Sequence, residues 1–151
     1  IPTYDMFLNK NAKRGVVLHV KKELNARECV TFDDSKFEES VWCTFTSAND
    51  ENVLVGCIYR SPNSLKENNE YLFELLKRKE MNDYDKICIL GDFNFPKASW
   101  DSLRGGDGGD DIVECVRDAF LWQKVKLPTR RRIDQRPTLD DLVLVNEEGL
   151  S

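Results

Sequence analysis

The chain has 151 residues, of which 40% are hydrophobic and 10% aromatic, as expected for one globular domain with a buried core. Its formal net charge of -5 excludes binding to nucleic acid through a global positive field, although a nuclease needs only local basic contacts. The five cysteines include no Cys-x-x-Cys pair, which argues against a zinc ribbon or a disulfide framework and favours a reducing, intracellular compartment. No apolar run is long enough to cross a bilayer, so we expect no membrane association.

The first half of the sequence carries strand patterns. Residues 14–20 are a β-rich run entered through Gly15, residues 41–46 alternate apolar and polar side chains, and residues 53–59 form another run. The loop between the last two runs is longer than two residues and contains turn-forming side chains. This arrangement predicts an antiparallel hairpin.

A helix and a strand follow the hairpin. Ser64 and Glu67 have the spacing of a capping box, which predicts a helix that runs to about Met81. The next apolar run predicts a strand over residues 84–90. A strand, a helix and a strand in this order allow one parallel crossover, so we expect a mixed sheet.

The last third of the sequence combines loops, a helix and a final strand. Residues 104–109 predict a glycine-rich loop, and Asp110 or Asp111 is placed to cap a second helix. A charged loop over residues 130–137 leads to a last apolar strand over 142–145. Short strands with two interspersed helices predict a layered α/β or α+β domain.

The end of the strand over 84–90 carries the residues that most indicate chemistry. Gly91 has no side chain, so another group can approach the backbone closely there. Asp92 and Asn94 are two positions apart and would point to the same side of an extended backbone. The carboxylate can take a proton from water or hold a hard cation, and the amide can donate to a phosphate oxygen. A simple turn after the strand is the alternative interpretation of these residues.

Three predicted strands end in polar side chains of this kind. They are Tyr59 with Asn63, Asp92 with Asn94, and Asp141 with Thr138. If these ends converge around one phosphate-sized hollow, they supply carboxylates, amides and a phenol. Phosphodiester hydrolysis requires such a set, because water must be activated and negative charge at the phosphate must be neutralised. We expect Asp140 to be solvated at the start of its strand and His19 to be structural.

Five segments of the sequence carry a resemblance to a known family. They are RGVVL at 14–18, CIYRSPN at 57–63, GDFN at 91–94, PTR at 128–130 and TLDDLV at 138–143. In this order they resemble the endonuclease/exonuclease/phosphatase superfamily, the fold of DNase I and the apurinic/apyrimidinic endonucleases. More closely, the chain resembles the endonuclease domain that precedes reverse transcriptase in jockey-like non-LTR retrotransposons.

The resemblance implies both a fold and an activity. The fold would be an α+β layered sandwich of the DNase I-like type, with mixed, mostly antiparallel sheets and outer helices. Residues 1–151 would be a single partial domain of it, truncated at both ends. The activity would be Mg²⁺- or Mn²⁺-dependent hydrolysis that nicks DNA in the nucleus, with a reverse transcriptase downstream in the parent polyprotein.

The resemblance also implies catalytic roles for four residues. Asp92 would activate the attacking water or contact the metal, and Asn94 would hold the scissile phosphate. Tyr59 would stabilise the phosphate or the leaving oxygen. Asp141 would orient a histidine.

Four further residues are implied to bind substrate: Asn63, Thr138, Arg60 and Arg130. Asn63 would contact a phosphate, although it could equally begin the following helix. Thr138 stands where many family members have serine. Arg130 belongs to a basic cluster with Arg131, Arg132 and Arg136, which is either a solvated loop or a set of contacts to DNA phosphates.

Two parts of the family's catalytic set have no counterpart in this sequence. One is a metal-binding glutamate on an early strand, and the other is the histidine of a Ser-Asp-His segment, since the only histidine is His19. We therefore expect the 151 residues alone to have little activity. Two alternatives stay open: a non-catalytic remnant that binds nucleic acid or a partner, and a phosphatase of the same superfamily that acts on a small phosphoester.

Overall fold

A computed structural model of the protein describes residues 3–100 and 110–147. This part of the chain contains eight strands and two α-helices. In chain order they are β1 (Tyr4–Leu8), β2 (Val17–Lys21), β3 (Arg27–Glu28), β4 (Ser40–Thr46), β5 (Asn52–Tyr59), α1 (Lys66–Leu76), β6 (Lys86–Asp92), α2 (Asp110–Asp118), β7 (Trp122–Gln123) and β8 (Asp141–Val145). None of the helices in these ranges has the length and apolar character needed to cross a membrane.

The strands form one large sheet and one small one. The large sheet has six strands in the order β3-β4-β5-β6-β8-β7, and β1 pairs with β2 in a separate antiparallel ribbon. Strands β5 and β6 run parallel because α1 carries the chain back across the sheet between them, whereas the other neighbours are antiparallel. The predicted hairpin and the predicted mixed, mostly antiparallel sheet are therefore confirmed.

The two faces of the large sheet are covered differently. On one face, side chains that alternate along the strands, such as Leu54, Ile89 and Leu144, are buried in one cluster with the apolar sides of α1 and α2. On the other face, the β1–β2 ribbon forms a second cluster with β4, in which Val16 and Leu18 are buried. The result is the layered α+β architecture that the sequence indicates.

Helix α1 differs from its prediction at both ends. It begins after Leu65, which makes no side-chain capping bond, so the predicted capping box is wrong. The hydroxyl of Ser64 instead accepts a hydrogen bond from the Asn68 side chain, 3.2 Å away. The helix ends at Leu76, and the predicted final turn is a separate 3-10 helix over Lys79–Asp83.

The sequence predicts some of the remaining elements and misses others. The predicted second helix is present as α2, in which both Asp110 and Asp111 are helical residues, and β8 matches the last apolar run. The sequence gives no sign of β1, β3 or β7, of which the last two are two residues long and lie at the edges of the sheet. The loop predicted over 104–109 lies outside the described residues.

Gly91 is the position where the sheet leaves no room for a side chain. It pairs with Ile58 across the parallel β5–β6 ladder and has a φ of +145°, which L-residues rarely adopt. A Cβ atom built on it would lie 1.9 Å from the carbonyl oxygen of Ile58. The close backbone approach expected at Gly91 is therefore confirmed.

We expect Gly91→Ala to reduce the free energy of unfolding by about 3 kcal/mol or more, because its methyl group would overlap a backbone atom held in a ladder. Gly15→Ala is the matched control, since Gly15 has a φ of +78° but no atom within 4 Å of the position of a Cβ. Its cost should be limited to the backbone conformation, about 1–2 kcal/mol. Urea unfolding of both variants measures the difference, and equal losses would contradict the steric explanation.

Candidate active site

Sheet register brings the three predicted strand ends together. Tyr59 pairs with Asp92 across β5 and β6, and Asp92 pairs with Asp141 across β6 and β8. Residues paired across neighbouring strands project from the same face, so the three form one row at one end of the sheet, here called the polar row. Tyr59 and Asp92 line a hollow of about 580 Å³, while the exposed Asp141 is not among the residues that line it.

Asp92 occupies the centre of the polar row in a setting that opposes its charge. Its side chain is 26% exposed, and its Oδ1 atom is buried without a hydrogen-bond partner. Burial raises the pKa of Asp92, and the nearby charges of Asp141 and Asp140 raise it further. Arg130 opposes this shift in pKa, with Nη2 at 3.6 Å from Asp92 Oδ2.

Asp140 is buried, which corrects the expectation that it is solvated. Its side chain is 3% exposed, and its Oδ2 accepts a hydrogen bond from Thr138 Oγ1 at 3.0 Å and lies 3.2 Å from Arg130 Nε. Its Oδ1 has no partner. Because Leu142 is buried and side chains alternate along a strand, the residue two positions earlier should also face inward. That signal was available in the sequence.

Asn94 does not continue the strand as an extended residue. Strand β6 ends at Asp92, and Asn94 has a φ of +50°, so the predicted alternation that would align the two side chains is wrong. The Asn94 side chain is buried, and its Nδ2 donates to the carbonyl of Arg60 at 2.7 Å. Asn94 lines a second hollow of about 210 Å³ that Arg130, Thr138 and Asp140 also line.

The structure places the substrate-binding candidates in three settings. Asn63 is exposed in the turn before α1, and Thr138 is half-buried against Asp140. Arg60 is buried, and its guanidinium donates to backbone carbonyls rather than facing either hollow. The roles assigned to these residues, to Arg130 and to the polar row stay predictions.

A hairpin carries the basic cluster next to the second hollow. The backbones of Arg130 and Thr138 form an isolated antiparallel bridge, and the residues between them are exposed. We call residues 130–138 the basic hairpin. Three exposed arginines and Ile133, which is 92% exposed, stand on it. Thr129, just before the hairpin, accepts hydrogen bonds from the backbone N–H groups of Asp140 and Asp141 at 3.1 and 3.0 Å.

Sequence reasoning assigned no role to two residues at the polar row. The guanidinium of Arg14 lies 5.9 Å from the centre of the Tyr59 ring, and Arg14 also lines the larger hollow. Thr129 anchors the start of β8. Both residues lie in segments that carry the family resemblance, and that was the available signal. His19 is exposed on β2 opposite Met6 and does not reach the row.

The oxygen atoms near the polar row provide some, but not all, of the ligands that a hard divalent cation needs. Asp92 and Asp140 each present a buried carboxylate oxygen without a partner, and Mg²⁺ prefers such ligands together with water and phosphate oxygens. Within residues 3–100 and 110–147, however, no group of three potential ligands is assembled. Asp92, with Asp140 beside it, is the position where a cation would be held.

The fold is that of a DNase I-like α+β domain, and the polar row is its candidate phosphodiesterase site. A family model described as endonuclease-reverse transcriptase matches residues 53–150. The chain therefore belongs to the endonuclease-reverse transcriptase family, which confirms the resemblance found in the sequence. A comparison with curated proteins finds no match.

Two solved structures show the same fold. One is the endonuclease domain of TRAS1, a telomere-specific non-LTR retrotransposon, with a TM-score of 0.68 and 16% identity over 96% of this chain and 68% of that chain. The other is the 3′ phosphatase NExo from Neisseria bound to a product DNA hairpin, with a TM-score of 0.63 and 15% identity over 95% of this chain and 67% of that one. At these identities the likeness establishes the fold.

We expect Asp92→Asn to raise the free energy of unfolding at pH 7, because the raised pKa of Asp92 means that its ionised form destabilises the folded state. Below the ordinary pKa of an aspartate, wild-type Asp92 is protonated and the advantage of the variant should disappear. Urea unfolding between pH 3 and pH 7 measures both effects.

Asp34→Asn is the matched control with the opposite sign. A hydrogen bond from Arg78 lowers the pKa of Asp34, so its ionised form stabilises the folded state. The control should lose stability at pH 7 and approach the wild type as the pH falls through the lowered pKa. A stability loss in Asp92→Asn at pH 7 would contradict the environment described for Asp92.

Proposed function

We propose that the chain is the DNA-nicking endonuclease domain of a non-LTR retrotransposon polyprotein. It would hydrolyse one phosphodiester bond with the help of Mg²⁺ or Mn²⁺, leave a 3′ hydroxyl, act in the nucleus and precede a reverse transcriptase. The observation that carries the proposal is the polar row of Tyr59, Asp92 and Asp141 beside the basic hairpin, in a chain of the endonuclease-reverse transcriptase family.

The residues of the polar row divide the work of hydrolysis. Asp92 accepts a proton from the attacking water, a role that its raised pKa suits, or contacts the cation through its free Oδ1. Tyr59 donates its hydroxyl hydrogen to a phosphate oxygen or to the leaving oxygen. A bound cation would supply positive charge to the crowded oxygens of the phosphate. Asn94 holds the phosphate from the second hollow.

A histidine oriented by a carboxylate would complete this set. Asp141 is the residue predicted for that role, and the buried Asp140, with one carboxylate oxygen free, is a second candidate. The only histidine of the chain, His19, is exposed on β2 away from the row. We therefore expect little or no nicking by the 151 residues and stronger nicking by the polyprotein that we propose contains them.

DNA binding in this proposal depends on local positive charge, because the whole chain is acidic. Arg131, Arg132 and Arg136 are exposed on the basic hairpin, next to the hollow that Asn94 lines. Arg14 stands on the other side of the row, above Tyr59. Phosphates on both sides of the scissile bond would thus meet arginine side chains.

Two other functions have specific support. The structural likeness to a 3′ phosphatase favours removal of a terminal phosphate by the same row. A remnant that binds nucleic acid without catalysis is favoured by the lack of a three-ligand metal group among the described residues and by the position of His19.

A nicking assay on supercoiled plasmid distinguishes these functions. We expect Mg²⁺-dependent nicking that EDTA abolishes and that Asp92→Ala reduces by a factor of at least 100, because the variant loses the proton acceptor. Asp118→Ala, an exposed aspartate at the end of α2, should nick as the wild type does. The assay should use both the 151-residue chain and the polyprotein.

An oligonucleotide with a 3′ phosphate completes the assay. Release of inorganic phosphate without plasmid nicking would assign the phosphatase activity instead. Binding to DNA without either reaction would show that the chain is a non-catalytic remnant. Full nicking by Asp92→Ala would show that Asp92 has no role in the mechanism.

We expect Arg132→Ala with Arg136→Ala to weaken DNA binding and to lower the slope of log K against log salt concentration by about 2, because each phosphate contact contributes about 0.9 to that slope. Arg117→Ala with Lys66→Ala removes the same charge from the exposed sides of α2 and α1 and should leave the slope unchanged. Fluorescence anisotropy of a labelled duplex at several salt concentrations measures it. Equal slopes for the two double variants would argue against the basic hairpin as the DNA contact.

A further inference from the structure

Arg60, the residue after β5, is hydrogen-bonded to the last residue of β6 and to the two residues that follow it. Its backbone N–H donates to the carbonyl of Asp92 at 2.8 Å. Its Nη1 donates to the carbonyls of Phe93 and Asn94 at 3.3 and 2.6 Å. In return, Asn94 Nδ2 donates to the Arg60 carbonyl at 2.7 Å. Arg60 thus bonds three consecutive residues, Asp92 through its backbone and Phe93 and Asn94 through its side chain.

The remaining contacts of the Arg60 side chain fix the guanidinium itself. Its Nε donates to Asn69 Oδ1 at 2.7 Å, which connects it to α1. The guanidinium also stacks on the ring of Phe95, with the Cζ atom 3.9 Å from the ring centre. Arg60 is 7% exposed, so its guanidinium donates to these protein groups in place of water.

A buried cation without a carboxylate partner calls for an explanation. No ion pair of Arg60 is found among the described residues, although burying an uncompensated charge is costly. The carbonyls of Phe93 and Asn94 offset this cost together with Asn69 Oδ1 and the Phe95 ring. Asn94 also has a left-handed φ, and the surroundings must maintain such a conformation.

We propose that Arg60 is a positioning residue that sets the place of Asp92 and Asn94 and does not contact the substrate. On the side away from Arg60, the Asp140 carbonyl accepts hydrogen bonds from the backbone N–H groups of Phe93 and Asn94, at 2.9 and 3.4 Å. The segment is therefore held between Arg60 and β8. This inference rests on the proposed hydrolysis, and it replaces the expectation that Arg60 binds substrate.

The planar fork of the guanidinium is needed for this role. Nε faces Asn69 and Nη1 faces two carbonyls, while the flat group lies on Phe95. An ammonium group keeps the charge but has neither the fork nor the flat face. Lysine is therefore a test of geometry at constant charge.

Amide hydrogen exchange tests the positioning without any need for activity. In Arg60→Lys we expect exchange at Phe93 and Asn94 to accelerate at least 10-fold, with little change in β4. Asn69→Ala removes one partner of the guanidinium and leaves Arg60 in place, so it should accelerate exchange at Phe93 and Asn94 by a smaller factor. If Arg60→Lys does not fold, Asn69→Ala provides the test instead. Arg78→Lys is the matched control, because Arg78 also lies over a ring, that of Phe32, and bonds a carbonyl, that of Thr31.

Kinetics then separate positioning from substrate binding. With a short duplex as substrate, Arg60→Lys should lower kcat about 100-fold, leave KM within about 3-fold and leave the salt slope of binding unchanged. Arg78→Lys should change neither constant. These constants are measured on the polyprotein. If the wild-type polyprotein does not nick DNA, the proposed function fails while the exchange measurement still decides the role of Arg60. Unchanged exchange at Phe93 and Asn94, or a raised KM with unchanged kcat and a smaller salt slope, would overturn the proposal.

Discussion

The register of hydrogen bonds between β5, β6 and β8 is the constraint on which the candidate site depends. It sets Tyr59, Asp92 and Asp141 side by side, each from a different part of the sequence. A slip of one residue would turn the Asp92 side chain to the opposite face of the sheet, into the core beneath α1 and α2. Gly91 maintains this register, because only a residue without Cβ fits against the carbonyl of Ile58.

Two arginines serve the row in different ways. Arg130 lies within ion-pair distance of Asp92 and Asp140 and reduces the repulsion among three neighbouring aspartates. Arg60 has no carboxylate partner among the described residues, and its bonds go to the backbone of the segment that carries Asn94. The first arginine therefore contacts charged groups, and the second contacts the backbone. The residue type alone did not distinguish these two settings, and the substrate contacts expected of both arginines stay predictions.

Much of the fold was predictable because its signals are local. The alternation in β4, the apolar runs of β5, β6 and β8, and the start of α2 all follow from side chains within a few positions of one another. The GDFN and YRSPN segments indicated where the site would form. Strands β3 and β7 were not predictable, because two residues carry no periodicity and their pairing depends on the neighbouring strand.

The errors concern residues whose environment is decided by distant partners. Asn94 leaves the extended conformation while bonded to Arg60. For Asp140, the alternation along β8 already indicated an inward side chain, but its ion pair with Arg130 depends on the folded chain. Helix α1 is shorter than its pattern, and the chain after it forms a 3-10 helix instead. A local pattern cannot report such contacts, which arise only when the sheet has assembled.

The order of the strands has a consequence for when the row exists. Strand β6 lies between β5 and β8, and the three strands come from separate parts of the sequence, so every pair in the row joins residues far apart in sequence. Such contacts form late in folding, because a long stretch of chain must be ordered before they are gained. During synthesis, a ribosome-bound chain that has not yet released β8 would hold Asp92 without its neighbour Asp141. The N–H groups of Phe93 and Asn94 would also lack the Asp140 carbonyl. Whatever chemistry the row performs is thereby withheld until the polypeptide has been completed through that strand.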